Sequence, residues 1–184
     1  MKKFVTFWLV IAIVTAAALT VYGGTSTDGE ASNSVVVGIS QDLDSLDPDH
    51  MTAAGTREIL FNVFEGLVKP DPDGNLIPAV ASDVSRSDDS LSYTFTLRDG
   101  VTFHNGDPVE MEDVIYSIER RRDGKDSAAF LEALSVIKDM KADGKTLTIT
   151  LSEPSNEFLA FIMTCYIIPS DYADQETSPV GTGP

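Results

Sequence analysis

The run Ser92-Tyr93-Thr94-Phe95-Thr96-Leu97-Arg98 alternates strictly between polar and apolar residues up to Leu97, and it constrains the fold more than any other stretch. Successive side chains of a strand point to opposite faces, so Tyr93, Phe95 and Leu97 share one face and need a core to cover it. Asp99-Gly100 follows, a strong short hairpin signal, and Val101 and Phe103 are expected on the return strand. Asn105-Gly106 turns the chain again. Asp107-Pro108-Val109-Glu110 then opens a helix, with Asp107 as cap, Pro108 at the first helical position and Glu110 reaching back. Met111, Val114, Ile115 and Ile118 continue it at helical spacing. His104 is one of only two histidines and lies between Asp99 and Asp107. Both acids have plain duties, one in a turn and one in a cap, so His104 reads as structural or exposed rather than catalytic or metal-binding.

The other segments mix the same two periods. Val35-Val36-Val37-Gly38-Ile39 suits a short buried strand. Thr56 is placed to cap a helix in which Ile59, Leu60, Val63, Phe64 and Leu67 form an apolar stripe. Asp71-Pro72-Asp73-Gly74 is a tight turn. A calcium loop begun at Asp71 needs Gly at its sixth place and Glu at its twelfth, where the chain has Leu76 and Ser82. A further helix is expected from Ala128 to Ile137, burying Phe130, Leu131, Leu134 and Ile137. Asp143-Gly144 turns into a second alternating strand, Thr146 to Leu151. Pro154-Ser155 starts a helix through Phe158, Leu159 and Ile162, and Ile167-Ile168-Pro169 leads into one more strand. No internal repeat interrupts this order, which predicts a compact α+β fold rather than regular βαβ units.

The first 22 residues differ in kind. Lys2 and Lys3 precede the apolar run Phe4 to Val14 and the small residues Ala16-Ala17-Ala18, the pattern of a secretory signal or a retained membrane anchor. Residues 23–34, rich in Gly, Ser and Thr, have the composition of a flexible tether. Leu19-Thr20-Val21-Tyr22-Gly23 resembles a bacterial lipobox with Tyr22 in place of the lipid-bearing Cys, so cleavage after Ala18 or Gly23 are both open. The chain beyond is expected outside the cytoplasm, in the periplasm or at the outer face of the membrane. Its 13 Lys+Arg stand against 29 Asp+Glu, a net charge of −16, which argues against a nucleic-acid partner. The basic run Arg120-Arg121-Arg122 suits the C-terminal end of a helix. Cys165, the single cysteine, forms no internal disulfide and reads as a small buried hydrophobe.

Several motifs agree in order and spacing with one family. They are Phe64-Glu65-Gly66-Leu67-Val68, the Asp-Gly turn before Pro78-Ala79-Val80-Ala81, and Ser87-Asp88-Asp89 leading into Tyr93-Thr94-Phe95. Leu97 to Gly106, Glu112-Asp113-Val114 with Ser117-Ile118-Glu119-Arg120, and Pro179-Val180-Gly181-Thr182-Gly183-Pro184 complete the set. From Val35 to Pro184 the chain resembles the family 5 extracellular solute-binding proteins of ABC transporters, the peptide- and nickel-binding group. Val84 stands where the family usually has Trp, and Ser90 where it usually has Gly.

The resemblance implies a periplasmic-binding-protein-like, type II bilobal fold. Members run to roughly three times this length, a size normally divided into lobes, so the chain is expected to be an N-terminal fragment without the second lobe. Residues 35–60 and 168–184 would belong to the first lobe and 61–167 to a β-rich subdomain. The implied function is binding rather than catalysis: capture of an oligopeptide and delivery to ABC permease subunits, with membrane association through the N-terminal segment. No metal site and no cofactor are implied. Ligand contacts are expected in the loop Ser40-Gln41-Asp42-Leu43-Asp44, for which a solvated acidic loop is the plain alternative, and at Gly181-Thr182-Gly183. Asp113 and Glu119 read as a solvated helix face. The alternatives are a nickel or other solute binder of the same family, and a truncated surface-anchored interaction module. One lobe supplies only part of the burial a solute needs, so the chain alone is expected to bind none tightly.

Overall fold

A computed structural model describes residues 36–40, 42–124 and 133–184. The signal or anchor segment 1–22, the tether 23–34, Gln41 and residues 128–132 of the expected Ala128–Ile137 helix lie outside the described residues. The chain divides into two compact units, Met1–Gly38 and Ile39–Pro184. In the first, Val36 and Val37 are 94% and 74% exposed and carry no regular structure. The buried strand expected at Val35 to Ile39 is therefore not formed over its described residues: a β-branched run becomes a strand only where a neighbour takes its hydrogen bonds.

The second unit is built on a four-stranded antiparallel sheet. Strands β3 (Ala81–Arg86), β4 (Ser92–Leu97), β5 (Ile137–Asp143) and β6 (Thr146–Leu151) lie in the order β3-β4-β6-β5. A separate two-stranded ribbon pairs β1 (Val68–Pro70) with β2 (Leu76–Pro78). The alternation of β4 survives intact: Tyr93, Phe95 and Leu97 are buried and the threonines between them are not. Opposite them on β6 stand Ile149 and Leu147, in register with Tyr93 and Phe95. Tyr93 packs its ring against Phe158, centroids 4.7 Å apart, within the range favoured by tilted aromatic pairs. On the other face Thr94 and Thr148 stand opposite each other, their hydroxyls 3.5 Å apart.

The hairpin expected at Asp99-Gly100 is not formed. Both edges of β4 are already occupied, by β3 and β6, so Val101 and Phe103 had no edge to take. They drop into the core, while Phe103 N–H donates to Asp107 O and Val109 N–H to Val101 O, closing a local loop. The actual β3–β4 turn is Ser87 to Leu91, stapled by the Asp89 carboxylate accepting from Ser87 Oγ and Leu91 N–H. Ser90 sits there at φ +60°, the only non-glycine with positive φ among the described residues. That is the position where the resembling family usually has Gly.

Three helices lie wholly within the described residues, α1 (Ala54–Leu60), α2 (Met111–Asp123) and α3 (Phe158–Ile162), and Ala133 and Leu134 of the expected Ala128–Ile137 helix are helical. The capping box is shifted from the expected position. Glu110, not Asp107, is the cap, and Asp113 accepts from Glu110 N–H at 2.9 Å. Thr56 lies inside α1, and Val63 and Phe64 follow it in a turn and an irregular stretch rather than in helix. Ile137 starts β5 instead of ending a helix, because β6 offers it a paired edge opposite Leu151. Ile167-Ile168-Pro169 adds no strand; its neighbour Tyr166 makes one isolated bridge to Gly66. The main core gathers the sheet face, α2 and α3. A second cluster joins Met51, Leu60 and Phe64 to Ile168. Cys165 is buried, and burial pushes its thiol up to about 12. No helix among the described residues is long and apolar enough to cross a membrane.

Candidate functional site

The sequence-predicted site residues fall at opposite ends of α1. At its N-terminal end, Asp44 Oδ2 accepts from the Thr52 hydroxyl and N–H, each at 2.7 Å, and from Ala53 N–H at 2.8 Å. In return Asp44 N–H donates to Thr56 Oγ1. The Thr52 hydroxyl and these amides hold the Asp44 carboxyl well below the usual carboxylate range. Asp44 is thereby employed in fixing the entry to α1, through the amides of the two residues just before it. Ser40 and Asp42 are exposed and Leu43 is half-buried; Gln41 is outside the described residues.

At the other end lie Gly181, Thr182 and Gly183. A Cβ built on Gly181 would stand 2.2 Å from Val63 O, and one on Gly183 2.5 Å from Asn62 O. Glycine is thus required by close approach and not by backbone dihedrals. Gly183 N–H donates to Val63 O at 2.9 Å. Val180 is held on both backbone groups by the buried Gln175 side chain, its N–H donating to Oε1 and its carbonyl accepting from Nε2. Thr182 Oγ1 is buried with no hydrogen-bond partner among the described residues. A seven-residue helix spans about 10 Å, so α1 separates the two expected contact sets by roughly that length.

His104 belongs to this second end. Its backbone N–H donates to Gly181 O at 3.0 Å, Gly181 N–H donates to its Nδ1 at 3.4 Å, and its Nε2 lies 3.0 Å from Gly183 O. Thus the LRDGVTFHNG motif and the PVGTGP motif, far apart in sequence, meet through one imidazole. The structural reading of His104 holds. Its neighbours Asp99 and Asp107 turn elsewhere, Asp99 to Lys145 and Asp107 to Asn105.

Sequence reasoning missed an ion cluster. Arg120 grips Asp47 in a fork, Nη1 to Oδ1 at 2.9 Å and Nη2 to Oδ2 at 2.6 Å, and also pairs with Asp49. The buried Arg121 adds a 3.3 Å bond to Asp49 O. Arg122, half-buried, pairs with the exposed Asp123 beside it. Burial works against ionised Asp47, but the Arg120 guanidinium prevails and lowers its pKa; at Asp49 burial prevails over both arginines and raises it. Asp113, expected on a solvated face, is buried and accepts from Ser170 N–H at 2.8 Å. The signal for these pairings was weak, since an acid–base pair 73 residues apart leaves no local pattern.

A hollow of about 180 Å³ opens between the Phe61–Pro70 stretch and Met163–Tyr166, with Pro184 on its lining. It is smaller than the ~300 Å³ typical of small-molecule clefts. The described residues hold no group of three or more His, Cys, Asp or Glu placed to hold a metal ion.

Solved structures place this architecture. Over 78% of the chain it superposes on the periplasmic binding protein AgaA of A. tumefaciens R10, solved with agropinic acid, at TM-score 0.71 and 32% identity, covering 30% of that protein. The periplasmic binding protein DppA of Helicobacter pylori, solved with the peptide STSA, gives TM-score 0.67 and 32% identity over 78% of this chain and 34% of its own. The fold is that of part of a periplasmic binding protein, as the α+β pattern and its motifs implied. Residues 75–184 match the family model of bacterial extracellular solute-binding proteins, family 5 (Middle). Protein XP55 of Streptomyces lividans is 34% identical over 182 residues, covering 92% of this chain and 32% of the relative. The nickel-binding periplasmic protein of Escherichia coli K12 is 38% identical over 132 residues, 66% of this chain and 25% of the relative. The chain belongs to the family 5 bacterial extracellular solute-binding proteins, a family of binding proteins and not of enzymes. It spans between a quarter and a third of the length of these relatives.

Proposed function

We propose that the chain supplies the first lobe and β-rich subdomain of an extracytoplasmic solute receptor that captures oligopeptides and hands them to the permease of an ABC importer. The observation that carries this is the family match over 75–184, which contains the sheet, α2 and the segment that His104 and Gln175 hold. Relatives described as oligopeptide- and dipeptide-binding favour peptide as the solute class. The second hydrophobic cluster joins Met51 and Leu60 to Ile168, which supports placing those residues in one lobe, and it runs on through Phe64 into the stretch assigned to the β-rich subdomain. Bilobal capture buries the solute from two sides, so residues 1–184 alone bind it weakly.

Calorimetric titration tests this. Di- and tetrapeptides and a nickel–histidine complex are titrated into the chain and into a form extended to the length of its relatives. Saturable peptide binding by the extended form, with little by 1–184 alone, is the expected result. Binding of nickel–histidine with silence toward peptides would move the assignment to the second reading, which the nickel-binding relative favours. Silence toward all of them would overturn the receptor role.

A further inference from the structure

We propose that His104 is a positioning residue: as the neutral, Nε2-protonated tautomer it locks the backbone of Gly181 to Gly183 against the end of α1. The inference goes beyond solute capture and does not depend on it, although on that reading the locked segment is one of the expected contact surfaces.

The chemistry of the partners selects the tautomer. Gly181 N–H is only a donor, so Nδ1, 3.4 Å away, must present its lone pair. Gly183 C=O is only an acceptor, so Nε2, 3.0 Å away, must carry the proton. A neutral imidazole offers one donor and one acceptor, and a single tautomer meets both demands. The His104 backbone N–H adds a third bond, to Gly181 O.

The segment needs such a lock because its own side chains cannot hold it. Any side chain at 181 or 183 would run into the backbone of Asn62 and Val63, so both positions are glycine, with maximal backbone freedom and nothing to pack. Besides the one backbone bond from Gly183 N–H to Val63 O, retention falls to side chains, Gln175 at Val180 and His104 at Gly181 and Gly183. His104 is itself firmly mounted. Phe103, the preceding residue, is buried in the main core, and its N–H and C=O are closed by Asp107 and Gly106. The imidazole thus couples the loop between β4 and α2 to the segment packed on Phe64, in the second cluster.

Two readouts test this on the intact chain without any solute, so a protein that binds nothing still decides the question. Nitrogen-15 NMR of the histidine rings at about pH 8, above the ordinary histidine range, is expected to show His104 with a protonated Nε2 and a bare Nδ1. Fast averaging between tautomers, or a protonated Nδ1, would overturn the proposal. Hydrogen exchange then compares His104→Phe with His104→Gln. Losing one hydrogen bond is expected to speed exchange of the Gly181 amide about fivefold in the Phe variant, while the Ile149 amide in β6 stays unchanged as a test of folding. Gln presents a donor and an acceptor on one planar group and is expected to restore part of the protection. Equal exchange in wild type and Phe variant would overturn the lock.

Discussion

The four-stranded sheet and the interlock around α1 are held by different means. In the sheet, residues close in sequence pair through backbone ladders, and the apolar face of β4 meets that of β6 in register. In the interlock, residues 44–64 are fastened to 120–121 through Asp47 and to 175–183 through the Ser45–Glu176 pair and the Gly183 N–H bond to Val63 O, while Gln175 and His104 brace the 180–183 backbone. Many small contacts make the sheet tolerant of losing one. The interlock has few fasteners, so individual changes there should cost more.

Gly181→Ala should break the comparison most sharply. Its Cβ would lie 2.2 Å from Val63 O, and relief requires moving backbone, so a loss of roughly 3 kcal/mol is expected. Thr94→Ala, on the outer face of β4, should cost about 0.5 kcal/mol. Urea denaturation of the two variants measures the difference, and equal midpoints would remove the distinction. Arg120→Met comes next. It strands Asp47, which is 7% exposed, and leaves Asp49 with Arg121 alone among the arginines, and should cost about 2 kcal/mol. The double variant with Asp47→Asn should recover part of that.

The pH dependence sharpens the same contrast. Asp47 is lowered from 3.8 in the folded chain, so its contribution is present above 3.8 and is lost as pH falls through the lower folded value. Asp49 is raised from 3.8, so its contribution is present below 3.8 and is lost as pH rises through the higher folded value. Asp49→Asn should therefore steepen the acid loss of stability, which urea midpoints at successive pH values would show. The smallest effect is expected at Ser90→Gly. A residue at φ +60° pays for a left-handed backbone that glycine adopts freely, offset by glycine's greater freedom when unfolded, for a net gain of about 0.5 kcal/mol.

Much of the sheet was legible. The alternations of β4 and β6 and the turn at Asp143-Gly144 appear as read, because a period of two and a glycine at positive φ are local properties. Which strand pairs with which was not. Asp99-Gly100 carries a true turn, with Gly100 at φ +70°, yet β4 had already given both edges to β3 and β6. The cap went to Glu110 because the Val101–Val109 loop held Asp107 back as an acceptor for Phe103 N–H. At the candidate site the PVGTGP and LRDGVTFHNG motifs were visible as strings, and the family they signal followed from them. Their meeting through His104 was not visible, since 77 residues separate its ring from Gly181.

By itself, then, the sequence determined what is periodic or stereochemical: the buried faces of β4 and β6, the glycine turns, the apolar stripe of α2 and the chain's membership of a solute-binding family. Only the tertiary structure decided edge occupancy, the pairing of Arg120 with Asp47, and the clasp of His104 on two glycines. These depend on distances between groups remote along the chain. A side chain's donors and acceptors state what it can bind, and the fold alone brings the partner within about 3 Å.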